Sequence, residues 1–138
     1  MEAIQQSLLG LSSFLIYFTV SLLLLLIFKW IYALVTPHDE WHLVKEDKNT
    51  AAAVGFSGAV VGFSIALGNA ASHSVSLVDF IIWGVVALLA QCVAFAILRF
   101  MFLPTVVQRI KDNEVSAGVI LAGISIAVGL LNAACMSY

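Results

Sequence analysis

Apolar residues run along this chain in four long blocks separated by three short polar stretches. The first block covers about Leu11 to Val35 and holds Leu22 to Leu26 without interruption; the second covers about Thr50 to Ala71. The third covers about Phe80 to Leu103, and the fourth about Val115 to Met136. Each reaches the roughly 20 residues that a helix needs to cross about 30 Å of hydrocarbon. Backbone groups in lipid must pair within their own segment, so the pattern predicts four helices rather than strands. The expected fold is all-α: a polytopic membrane protein with four transmembrane helices, a single membrane domain over residues 1–138.

The first block reads as a retained span. Glu2 is its only charge before Lys29, no A-x-A site follows it, and it exceeds the roughly 7–15 apolar residues of a signal peptide. The connections set the orientation. Lys45 and Lys48 lie between the first two blocks, and Arg109 and Lys111 between the last two, with Lys29 and Arg99 just inside the spans. The Ser72–Asp79 segment and both termini carry no Lys or Arg, so all six basic residues fall on one side. The positive-inside rule makes that side cytoplasmic and both termini periplasmic. Lys29 and Arg99 would snorkel toward it, and the neighbouring Asp39, Glu40, Glu46 and Asp47 count little in the rule.

The two halves resemble each other. Each ends a bulky span near a basic residue, Lys29-Trp30 or Arg99-Phe100, and continues through Pro37 or Pro104. Each then passes an acid, Asp47 or Asp112, into a span of small residues. Aligned without gaps, Ala52-Ala53-Val54 falls on Ala117-Gly118-Val119, and Ser57-Gly58 on Ala122-Gly123. These matches predict a duplicated two-helix unit, residues 1–71 and 72–138, of the parallel kind. The basic connections also show helical signals. Thr36-Pro37-His38-Asp39 reads as an N-cap, a first-turn proline and an acid, with Trp41 and Val44 spaced i, i+3. Val106, Val107 and Ile110 follow Pro104 with similar spacing. Two short amphipathic helices at the cytoplasmic interface are expected, with Trp41 at headgroup level.

Small residues mark the expected packing faces. Gly58, Gly62, Ala66 and Ala70 recur every four residues in the second span, beside Gly55 and Ala59. In the fourth span Gly118 and Ala122 form one row, Gly123 and Ala127 another, and Ser125, Gly129 and Ala133 a third. Such rows let helix backbones approach closely where no hydrophobic effect joins helices. They predict two small-residue helices inside and two bulky ones, the first and third, facing lipid. Four crossings bury little internal surface, so a homo-oligomer is expected; a monomeric bundle that uses the rows internally is the alternative.

Composition narrows the function. The chain is 62% hydrophobic and 10% charged, with a mean hydropathy of +1.08. Soluble domains carry about 25% charged residues, so lipid must cover much of this surface. A net charge of −2 and a pI near 5.8 give no basic patch for nucleic acid. Cys92 falls mid-span and Cys135 near a helix end, too far apart in depth for a disulfide. No mid-span carboxylate is present, since Asp79 and Glu114 sit at span ends, which argues against proton- or cation-coupled transport. No Ser–His–Asp arrangement, phosphate loop or H-E-x-x-H is visible, so neither an enzyme nor a cofactor is expected.

The remaining polar residues are candidates for contact or passage. Gln91, at the middle of the third span, serves either as glue between helices or as the lining of a path. Asn69 and Asn132, each followed by two alanines, bond across helices, line an outer vestibule or cap helix ends. His38 and His42 are i, i+4 beside Asp39 and Glu40, but no further ligands follow at metal-site spacing. A polar interfacial face explains that cluster, and no metal site is assigned.

The run Thr36-Pro37-His38-Asp39-Glu40-Trp41, with Thr50-Ala51-Ala52, Phe56-Ser57-Gly58 and Asn132-Ala133-Ala134-Cys135-Met136, resembles the bacterial inner-membrane family called domain of unknown function 350. The likeness covers nearly the whole chain. It implies a four-span inner-membrane protein with a duplicated two-span unit and supplies no activity. Family members resemble one another in being encoded near phage-shock-protein-A-like membrane-remodelling proteins and polyamine-related enzymes, which implies envelope maintenance or stress by association. The expected function is therefore a non-enzymatic, homo-oligomeric inner-membrane protein. Its cytoplasmic surface of His38, Asp39, Glu40, Trp41 and His42 would recruit or sense a peripheral partner, a phage-shock-protein-A-like protein among the candidates. The alternative is a small ion or solute channel or transport component, its path lined by Asn69, Gln91, Ser125 and Asn132.

Overall fold

The computed structural model describes residues 1–36, 40–45 and 47–136, with residues 40–42 as backbone only. Among the described residues every regular element is helical. α1 spans Glu2–Val35, α2 Glu40–Lys45, α3 Thr50–His73 and α4 Leu77–Ile97, which runs on as a π-helical turn over Leu98–Phe102. α5 spans Val106–Lys111 and α6 Val115–Cys135. Helices α1, α3, α4 with its π turn, and α6 are long and apolar enough to cross a membrane.

α1 starts at Glu2 rather than near Leu11. Ala3, Gln5, Gln6 and Leu8 are good helix formers, and no proline interrupts them. Its 34 residues reach about 50 Å at 1.5 Å per residue, beyond a hydrocarbon core of about 30 Å. At the other end Thr36 closes α1, its Oγ1 donating to the Tyr32 carbonyl at 2.9 Å; the Pro37-His38-Asp39 stretch expected to open the next helix lies outside the described residues. α4 ends differently. The Leu103 N–H donates to the Leu98 carbonyl at 2.7 Å, an i to i−5 bond that widens the last turn. Leu103 then leaves helical geometry (φ −144°, ψ 80°), as the residue before a proline must.

α3 and α6 run parallel in contact along their length. A Cβ added at Gly118 would overlap the Ala51 backbone, one at Gly58 the Ala122 backbone, and one at Gly62 the Ser125 carbonyl. Gly129 meets the Gly62 backbone in the same way. Farther along, the Asn69 Nδ2 donates to the Ala133 carbonyl at 2.8 Å. These helices therefore touch backbone to backbone, which only glycine permits at such positions.

α4 fits against both, and α1 lies on α3 and α4. Phe28 of α1 stacks on Phe63 of α3 with centroids 4.6 Å apart. Tyr17 meets Phe80 at 5.3 Å, and Tyr32 meets Phe95 edge-on at 6.3 Å. Gly84 makes room for Leu24, whose Cδ1 would lie 2.8 Å from an added Cβ.

This arrangement corrects the expectation of two small-residue helices inside. α3 is central, but α4 is more enclosed than α6, with 39% against 22% of an 18-residue apolar stretch buried. α6 packs through Gly118, Ala122, Ser125 and Gly129, whereas Gly123 and Ala127 are exposed, and nothing lies within 4 Å of a Cβ built on Gly123. A helix of 3.6 residues per turn cannot bring all three of its small rows against one neighbour.

Candidate functional site

Polar groups gather at both ends of the bundle and in its middle. At the basic end, each of α3 and α6 begins after a residue in the left-handed region, Lys48 at φ 50° and Asn113 at φ 59°. Asn favours this conformation because its short polar side chain bonds locally, and both residues turn the chain sharply into a span. Asn49 is 5% exposed and caps α3, its Oδ1 accepting from the Ala52 N–H at 2.8 Å. Its Nδ2 donates to the Ile110 carbonyl of α5 at 2.7 Å, and its backbone N–H to the Leu43 carbonyl of α2 at 2.9 Å. In return the Asn113 Oδ1 accepts from the Ala51 N–H at 3.0 Å.

The two short helices are thus tied to the ends of the central pair. Val106 and Ile110 of α5 are fully buried, and Leu43 of α2 is nearly so. Lys45, Lys48 and Lys111 point outward, while Arg109 pairs with Glu114 and reaches the Ser116 Oγ at 3.4 Å. That ion pair is half-exposed, and pairs of this kind contribute little to stability. Of the five residues expected to form a contact surface, His38 and Asp39 lie outside the described residues. Glu40, Trp41 and His42 belong to α2, with side chains outside the described set.

In the middle of the bundle, Gln91 of α4 is fully buried. Its Nε2 donates to the Ser125 carbonyl of α6 at 3.0 Å and occupies the space a side chain at position 62 would need, 2.8 Å from a Cβ built there. The glycine thus admits both the neighbouring backbone and the amide. The Gln91 Oε1 and the Ser125 Oγ are buried without a hydrogen-bond partner, as is the Asn132 Nδ2. The structure joins Gln91 to Ser125, and Asn69 to the segment beside Asn132, but the two groups are separate. Among the described residues, no three His, Cys, Asp or Glu side chains come together as a metal site.

Sequence reasoning passed over Asn49 and Asn113, the residues that bind the connections to the spans. A signal was present: an Asn immediately before Thr50-Ala51-Ala52-Ala53, the N-cap position of an apolar helix. The long-range half of the clamp, from Asn49 to a carbonyl 61 positions away, has no local signature.

Four apolar spans, two of them in backbone contact, with a buried amide hydrogen bond at their centre and charge at one end, define an integral membrane protein. The chain belongs to the family described as Domain of Unknown Function (DUF350), whose profile matches residues 6–136. It is 38% identical over 129 residues to the inner membrane protein YjfL of Escherichia coli (strain K12), covering 94% of this chain and 96% of that one. It is 26% identical over 119 residues to the transmembrane protein YshE of Bacillus subtilis (strain 168), covering 86% and 88%. No solved structure matches it.

Proposed function

We propose that this protein is a non-enzymatic, homo-oligomeric scaffold of the inner membrane whose cytoplasmic face recruits or senses a peripheral partner in envelope maintenance or stress. The observation that carries this reading is the clamp at the basic end. Asn49 and Asn113 tie α2 and α5 to the ends of the spans, so these two short helices are fastened to the bundle. Its outward Lys45, Lys48 and Lys111 favour a cytoplasmic placement, with both termini periplasmic. The two-sided character of α5, with Val106 and Ile110 buried inward and charge outward, suits a helix at the membrane interface.

A duplicated two-span unit belongs to the same reading. Lys48 and Asn113 share the left-handed conformation, each following an acid and preceding a helix start. Each half also has a short helix just before that turn, α2 in one and α5 in the other. A path through one chain fits less well. Gln91 and Ser125 are fully buried between helices that touch, with the Gln91 amide already donating to the Ser125 carbonyl.

The test is cosedimentation of a phage-shock-protein-A-like peripheral protein with liposomes holding the full chain. Wild type is expected to retain it, and a chain with His38, Asp39, Glu40, Trp41 and His42 replaced by alanine to retain at least about tenfold less, 1.4 kcal/mol of binding. Equal recovery for the two chains, or none for wild type, removes the partner-recruiting role.

A further inference from the structure

The central helix pair joins two segments related by 65 positions, yet it uses unlike faces of them. Asp47 and Asp112, Lys48 and Asn113, and Gly58 and Gly123 are such equivalents, read directly from the numbering. α3 contributes Gly58 and Gly62 to the contact; α6 contributes Gly118, Ala122, Ser125 and Gly129. Were the halves related by a two-fold axis through this contact, Gly123 would meet Ser57 as Gly58 meets Ala122. Instead Gly123 has nothing within 4 Å of an added Cβ, and Ser57 is exposed. A contact between unlike faces does not close on itself; repeated, it generates a ring or a filament.

Each helix therefore keeps free the face its partner uses. α6 retains Gly123 and Ala127, the equivalents of Gly58 and Gly62, both exposed. α3 retains Ala53, Ser57, Val60 and Ser64, the equivalents of Gly118, Ala122, Ser125 and Gly129, all exposed or half-buried. A groove of about 380 Å³ opens there, lined by Ala53, Ser57 and Val60 with Val44, Phe56 and Val61. Ser57 and Ser64 place hydroxyls on this face at membrane depth, where hydrocarbon offers them no partner and a neighbouring helix does.

We propose that the Gly123–Ala127 face of α6 on one copy seats against the Ala53–Ser57–Val60–Ser64 face of α3 on the next, over the groove at Ala53, Ser57 and Val60, repeating head to tail the contact made inside each chain. This rests on the homo-oligomeric, duplicated reading above and names its interface. Gly123 then lies against Ser57 of the next copy, and Ala127 against Ser64. Ala127 and Ser64 carry side chains where the internal contact has Gly62 and Gly129, so the copies stand farther apart than the halves. Assembly is therefore weaker than the fold and separable from it.

Disulfide trapping in native membranes tests the geometry, using the full chain with Cys92 and Cys135 replaced by alanine. Ser57→Cys combined with Gly123→Cys is expected to give an oxidation ladder of dimers, trimers and larger species, while either cysteine alone leaves monomer. A dimer from one single-cysteine chain marks a self-paired interface: the oligomer stands and this proposal fails. A monomer band in every case also overturns it, and a one-chain mass for the extracted wild type then removes the oligomer as well. As a second variant, Gly123→Leu is expected to cut the oligomeric fraction at least tenfold with unchanged thermal unfolding of the single chain. Full assembly by that variant overturns the proposal.

Discussion

Helices α1 and α3 are both long and apolar enough to span a bilayer, yet they are held by different means. Of an 18-residue apolar stretch of α3, 50% is buried inside the bundle; of the corresponding stretch of α1, 11%. α1 is rich in Leu, Ile and Phe and attaches chiefly through the ring contacts of Phe28, Tyr32 and Tyr17. α3, with four glycines at 55, 58, 62 and 68, meets α6 through main chain. Lipid explains the contrast. In water the greasier helix would be driven inward, but hydrocarbon solvates Leu as well as a protein core does. What remains to join helices is close packing and the occasional hydrogen bond, and small residues allow more of both.

The same substitution at two glycines probes this difference most strongly. Gly62→Ala places a methyl group against the Ser125 carbonyl and the Gln91 amide, and is expected to cost about 3 kcal/mol through overpacking. Gly10→Ala, in the open part of α1 with nothing within 4 Å, is expected to change stability by less than about 1 kcal/mol, in the stabilising direction. Reversible unfolding in mixed micelles measures both, and equal costs would break the comparison.

A smaller effect is expected at the clamp. Asn49→Ala removes the α3 cap and the bond to Ile110, at about 2 kcal/mol, with faster amide exchange at Ala52. Unchanged exchange there would separate the cap from the stability of the pair.

The smallest effect is expected for Gln91→Leu, below about 1 kcal/mol. Interhelical side-chain bonds in lipid average about 0.6 kcal/mol. Here the loss of one bond is partly offset by removing the unpartnered Oε1. A loss above about 2 kcal/mol in the same unfolding assay would mean that polar bonding, not side-chain packing, holds α4 to α6.

Much of this was legible in the residues. The glycine and alanine row of α3 is visible as a four-residue period, and Gly58 and Gly62 do lie where α6 approaches. The same reasoning treats three rows of α6 alike, and Gly123 and Ala127 are exposed, with nothing among the described residues within 4 Å of a Cβ added at Gly123. Period identifies faces that permit close approach without saying which of them is used. α4 shows the converse. Its bulky sequence suggested a lipid-facing helix, but Gly84, Ala87, Gln91 and Ala94 line a buried side. Those residues are scattered too thinly among Val, Ile and Leu to stand out as a row. The Asn49–Ile110 bond spans 61 positions, and no local pattern encodes a partner that distant.

What the sequence determined by itself was where the helices lie and how many are long enough to cross a bilayer. That requirement is local, because each segment must satisfy its own backbone in hydrocarbon. Only the tertiary structure decided which face of α6 meets α3, that α4 rather than α6 is the more enclosed, and how the connections are fastened. Hydropathy is blind to those choices, since every face of these spans is apolar. They turn on shape, on which missing Cβ stands opposite which backbone, and shape between distant segments exists only once the chain has folded.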